Sequence, residues 1–102
     1  MEIFPEMAGD FEQTWGEIAQ SIAYEPANLG QTLVRDTEEV GVYWVLTDWV
    51  DEPRFRAFEL SARHVVHRQR LKPFRKGGGM NVTEVVTHVR PAARPVGVAA
   101  AS

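Results

Sequence analysis

Hydrophobic positions recur along this chain with two different periods. Phe11, Trp15, Ile18, Ala19 and Ile22 fall at i, i+4, i+7, i+8 and i+11. With Asp10 as a helix N-cap and Glu12, Gln13, Glu17 and Gln20 on the opposite side, they predict an amphipathic helix of roughly 14 residues. Before it, Met1–Phe4 reads as the end of a strand, stopped by Pro5 and Gly9. After it, Glu25–Gly30 punctuates the chain, and Gln31–Arg35 alternates like a half-buried strand. Asp36–Glu39 is a polar turn, and Val40–Trp49 is a β-branched and aromatic stretch suited to a central strand. Successive side chains of a strand point to opposite faces, so Tyr43, Val45, Thr47 and Trp49 share one side and Val42, Trp44, Leu46 and Asp48 the other. Both sides carry bulky apolar groups, which predicts that both are covered.

Asp51-Glu52-Pro53 opens a second helix, with acids at its positive dipole end and proline in its first turn. Phe55, Phe58, Ala62, Val65 and Val66 continue it, until Pro73 and Gly77–Gly79 end it. Asn81–Val89 alternates again and is the expected last strand. The order β, α, β, β, α, β predicts an α+β, ferredoxin-like antiparallel sheet with two helices on one face. Residues 1–90 form that domain, and residues 91–102, rich in Pro, Ala and Gly, form a frayed tail or an arm laid on a partner. Helices on one face leave the other sheet face bare, so a twofold homodimer closing two sheets into a barrel is expected.

Composition narrows the chemistry. The absence of cysteine among the 102 residues excludes disulfides, thiolate nucleophiles and Fe–S clusters, and fits a cytoplasmic protein. No export signal and no membrane-spanning run of apolar residues is recognisable. The net charge of −3 conceals an asymmetry: residues 1–40 hold nine acids against the single base Arg35, and residues 41–102 hold ten bases against five acids. Arg63, Arg68, Arg70, Lys72, Arg75 and Lys76 carry most of the excess, as a solvated helix face and loop or as a site for an anion. Nucleic acid is disfavoured as a partner, because no strand carries the Lys/Arg-Gly-Phe type of motif that RNA-binding sheets of this topology use. Gly77–Gly79 lacks the Lys-Ser/Thr of a phosphate loop and is followed by a strand, so a loop at a pocket mouth is expected there.

Asp10-Phe11-Glu12, the stretch Glu25–Asp36, Val42–Trp49, Phe55-Arg56-Ala57-Phe58 and Ser61-Ala62-Arg63-His64 together resemble the antibiotic biosynthesis monooxygenase family of dimeric α+β barrels. The most specific element is the strand-ending Trp49, then an acidic turn, Phe55 six positions on, and Ser-x-x-His on the next helix. The resemblance spans residues 4–89 and implies a homodimer with a pocket between sheet and helices. It also implies an oxygenase acting on an aromatic polyketide in antibiotic biosynthesis, using molecular oxygen with no required cofactor or with reduced flavin. A non-catalytic ligand-binding or accessory role, and haem degradation, are the alternatives the family leaves open.

An electron-rich phenol, once deprotonated, can itself reduce oxygen, so the protein must supply an apolar cavity, a base and a donor to the developing anion. Trp49 suits the donor role through its indole N–H, and equally suits a packed strand end. His64 is the candidate base, His67 lies three residues on, and Tyr43 shares the face of Trp49 and is the third catalytic candidate. Trp15, Val45, Phe55, Phe58 and His67 are the expected substrate-lining residues, with ordinary helix-to-sheet core as the competing reading. Quinone-forming members resemble one another in an asparagine four residues before the tryptophan. Here that position is Val45, which weakens that assignment and favours another polyketide step. The haem-ligand position of the haem-degrading branch aligns with Arg68, which disfavours haem. No third ligand completes a metal site with His64 and His67, so no metal is expected.

Overall fold

The computed structural model describes residues 1–92. Strand β1 (Glu2–Ile3), helix α1 (Ala8–Ile22), strands β2 (Asn28–Arg35) and β3 (Tyr43–Trp49), helices α2 (Glu52–Glu59) and α3 (Ala62–Leu71) and strand β4 (Arg75–Gly77) follow in that order. Single 3-10 turns at Pro5–Met7 and Lys72–Phe74 lead into α1 and out of α3. β1 pairs antiparallel with β4, and β2 with β3. The two ladders are joined at the start of β3 by a bridge between Glu2 and Val42, and by Tyr43 N–H donating to the Met1 carbonyl at 2.9 Å. The spatial order β4-β1-β3-β2 is that of the ferredoxin-like plan, so the α+β fold class holds.

Gly41 makes the junction of the ladders feasible. Its φ of +88° lies in the left-handed region, and its carbonyl accepts from Ile3 N–H at 2.7 Å, so close that a Cβ there would collide with the Ile3 carbonyl.

Four local expectations are corrected. Helix α1 starts at Ala8, two residues before the expected cap, because the 3-10 turn at Pro5–Met7 feeds straight into it; Asp10 sits inside the first turn, where its charge still meets the helix dipole. The central strand begins at Tyr43 and not Val40, because Val40 and Gly41 are spent on the turn. The second helix is two: α2 stops at Glu59, and Ser61 recaps α3, its Oγ accepting from His64 N–H at 3.2 Å. The last strand is Arg75–Gly77, directly after α3, and Asn81–Val89 forms no ladder with any described residue. Most of the tail expected at residues 91–102 lies outside the described residues.

Helix α1 presents the face its period promised, and its two ends serve two cores. Phe11 joins Ile3 and Tyr43, with Trp15, Leu33, Leu71 and Phe74 packed around them. Ile18 and Ile22 join Phe58, with Trp49 and Leu71 against them. Leu71 touches both clusters and so ties α3 to each end of the sheet. The outer face of β2 and β3 stays bare: Trp44 lies opposite Val34 and Leu46 opposite Thr32, and the two large side chains are 48% and 57% exposed. The charge asymmetry is partly consumed inside the fold, where Glu17 pairs with Arg70 at 2.5 Å and Glu25 with Arg63 at 3.2 Å. Among the described residues, no helix is long and apolar enough to cross a membrane.

Candidate functional site

Trp49 ends β3, and the chain turns at once into α2. Asp51 caps that helix, its Oδ1 accepting from Arg54 N–H at 2.9 Å, and Pro53 occupies the first turn where no amide partner is missed. The tight turn folds α2 back over the strand end. Phe55 and Phe58, one helical turn apart, therefore both reach Trp49, with ring centroids 5.5 and 4.8 Å away. Because Ser61 restarts the helix, His64 and His67 present to the same interior: the His64 ring lies 4.6 Å from Phe58, and the His67 ring 5.9 Å from His64.

This chain of rings carries five nitrogens, three of them buried without a partner. Trp49 Nε1, His64 Nδ1 and His67 Nδ1 are buried with no hydrogen-bond partner among the described residues. An unpaired buried polar group costs about 1–3 kcal/mol, and native folds tolerate few of them, which makes this stack the candidate site. Burial is the main cause that holds His64 below the ordinary histidine range, reinforced by the positive charge of Arg68 and by His67, with Glu59 opposing. His67 is lowered by its own burial and by Arg63 and Arg70. Both imidazoles are therefore neutral near pH 7 and able to accept a proton.

The expected constellation is brought together only in part. Trp49, Phe55, Phe58, His64 and His67 converge. Tyr43 does not, although it shares the strand face of Trp49: it stands at the other end of β3, about 20 Å away by strand rise. Its ring is 1% exposed and packs 4.9 Å from Phe11, while its hydroxyl donates to Glu12 Oε2 at 2.5 Å. Burial and the Glu12 carboxylate both push the phenol pKa upward, so it stays protonated. Arg35 Nη1 donates to the same Glu12 Oε2 at 3.3 Å, and the trio is a structural clamp between α1, β2 and β3. Trp15 likewise belongs to the Phe11 core. Val45, half-buried opposite Leu33, sits on the inner face between the two cores.

Two clefts of about 450 and 420 Å³ flank the fold, and neither is lined by Trp49, Phe55, Phe58 or His64. Phe55, like Trp49 and His64, is half-buried, and the Arg56 guanidinium lies 5.7 Å from its ring centroid. Sequence reasoning missed Ser61, whose place before an apolar-periodic run is an N-cap signal. It also missed Glu12 as the partner of Tyr43, for which no local signal exists.

The family model described as antibiotic biosynthesis monooxygenase matches residues 1–70. The chain belongs to that family. The matched span holds every aromatic and imidazole group of the site and ends inside α3, before β4 and before the unpaired segment Asn81–Val89. No curated protein matches the chain. Among the described residues, no group of three potential metal ligands occurs.

Proposed function

We propose that this protein is a small homodimeric oxygenase of the cytoplasm, acting on an aromatic polyketide intermediate of antibiotic biosynthesis. The supporting observation is the set of unpartnered polar atoms on an otherwise aromatic stack in a member of this family. Phe55 swings aside to admit a flat ring against Trp49. His64, neutral at working pH, takes the phenolic proton, and Trp49 Nε1–H donates to the oxyanion that forms. The electron-rich anion then gives one electron to molecular oxygen, and the substrate radical and superoxide combine to form a C–O bond. The peroxide takes back the proton from His64 and loses water to leave a carbonyl, so that one oxygen atom enters the substrate and the other leaves as water.

Reduced flavin as the electron source is the second reading, favoured by apolar Val45 where quinone-forming relatives carry asparagine. The described residues offer a flavin ring the aromatic faces of Trp49 and Phe55 and the unpartnered nitrogens of Trp49, His64 and His67 as polar contacts.

Homodimer formation is supported by two surfaces. The bare outer sheet face at Trp44 and Leu46 is the one that a second sheet would cover. Asn81–Val89 keeps a strand alternation but makes no backbone hydrogen bond to any described residue, and Val86 is 93% exposed. A segment with strand alternation and no ladder partner among the described residues can add to the sheet edge of a second copy.

Oxygen consumption with hydroxyanthrones, with and without reduced flavin, tests the proposal. Uptake without flavin supports the cofactor-free step and uptake only with flavin the second reading. No uptake, together with no thermal shift from any polyphenol, overturns both and leaves an accessory role.

A further inference from the structure

The six basic residues between Arg63 and Lys76 divide into two sets with different work. Arg63 and Arg70 are committed to the fold, one to Glu25 and the Ser21 carbonyl, the other to Glu17. Arg68, Lys72, Arg75 and Lys76 are not: none makes an ion pair with a described carboxylate, and Glu2, which lies opposite Gly77 in the β1–β4 ladder, pairs with none of them. All four line one open cleft of about 450 Å³ between the outward side of α3, the 3-10 turn and β4. Its floor holds Val65, and the stems of the lysines and arginines add apolar surface beneath their charged heads.

Four like charges gathered around one concavity repel one another, and the arrangement becomes favourable when an anion occupies it. Arginine forks and lysine ammonium groups together match phosphate oxygens well. The apolar floor asks for more than a bare ion. A long polyanion is the weaker candidate, because the chain as a whole carries a net charge of −3.

We propose that this cleft binds the phosphate end of an organic phosphate whose apolar or aromatic body lies on Val65, at a site separate from the Trp49 stack. The proposal stands independently of the oxygenase reading, because its test is a binding measurement that involves no turnover.

Titration calorimetry on the full chain at low salt compares flavin mononucleotide with riboflavin, adenosine diphosphate with adenosine, and pyrophosphate alone. The expected result is that a phosphorylated member binds at least about tenfold more tightly than its phosphate-free counterpart. The double charge reversal Lys72→Glu with Arg75→Glu, at two exposed positions, abolishes that difference, and affinity falls as sodium chloride rises from about 50 to about 200 mM. Binding of pyrophosphate as tight as that of the nucleotides overturns the proposal, because the organic body then adds nothing and the cleft takes a bare anion. Equal affinity within both pairs, unchanged binding by the charge-reversed chain, or no saturable heat with any phosphate overturns the proposal. Retention of RNA or of an acidic protein without competition by any of these phosphates overturns it too.

Discussion

Replacing Trp49 by Phe separates a donor from a packing residue more cleanly than any other single change. The indole ring stacks 4.8 Å from Phe58 and 5.5 Å from Phe55, so shortening it removes contact area as well as the N–H. Losing on the order of 40 Å² of buried aromatic surface costs about 1 kcal/mol at about 25 cal/mol per Å². Against that, removing a buried N–H with no partner relieves about 1–3 kcal/mol. The balance runs from zero to about 2 kcal/mol in favour of the variant, so urea and thermal unfolding should place Trp49→Phe at or above the parent by no more than that amount. If the N–H donates to the oxyanion, turnover measured as oxygen uptake should fall about 10²–10³-fold with little change in KM. Phe58→Ala is the control: it empties a buried position and should cost about 3–5 kcal/mol whatever Trp49 does. A Trp49→Phe chain that unfolds several kcal/mol more easily yet turns over at the parental rate would refute the assignment and return Trp49 to the core.

The other consequences are simpler to state. Tyr43→Phe should lose about 1.5 kcal/mol, the worth of its hydrogen bond to the Glu12 carboxylate, and leave oxygen uptake unchanged; a large loss of kcat in a chain that melts normally would restore Tyr43 to the site. Because His64 and His67 titrate below their unfolded value of about 6.5, the unfolded chain binds protons first, so their contribution is complete above that pH and is lost as pH falls through their lowered native values. Thermal midpoints from pH 7.5 to 5 should therefore drop less steeply for a His64→Gln, His67→Gln double variant than for the parent, and parallel curves would count against the buried neutral pair. Truncation after Gly79 should shift the protein from dimer to monomer in analytical ultracentrifugation, and an unchanged mass would exclude Asn81–Val89 from the interface. Ser61→Ala should cost about 1 kcal/mol through loss of the α3 cap, read as a lowered urea midpoint with unchanged slope.

What the chain's own order of residues determined is local. The inward face of α1, the pairing-competent stretches around β2 and β3, the acidic start of α2 and the family itself were all legible. Each depends on residues within a few positions of one another: a 3.6-residue period, a cap, a proline in a first turn. The interruption at Leu60-Ser61 was legible in principle but masked, because Ala62, Val65 and Val66 resume an apolar spacing near enough to that of Phe55 and Phe58 to read as one helix. Tertiary structure alone decided the rest. Face parity along β3 puts Tyr43 and Trp49 on one side, but which helix end covers which strand end depends on how α1 and α3 cross the sheet. That crossing sends Tyr43 to Phe11 and Glu12, and Trp49 to Phe58. The division of the basic residues was equally hidden, since Arg70 finds Glu17 only because α1 and α3 pack side by side, while Arg68 and Lys72 form no ion pair with a described carboxylate. The alternation of Asn81–Val89 promised a strand, yet a ladder needs a neighbouring edge with free amides and carbonyls, and whether one lies within reach is a property of the folded arrangement, not of the segment.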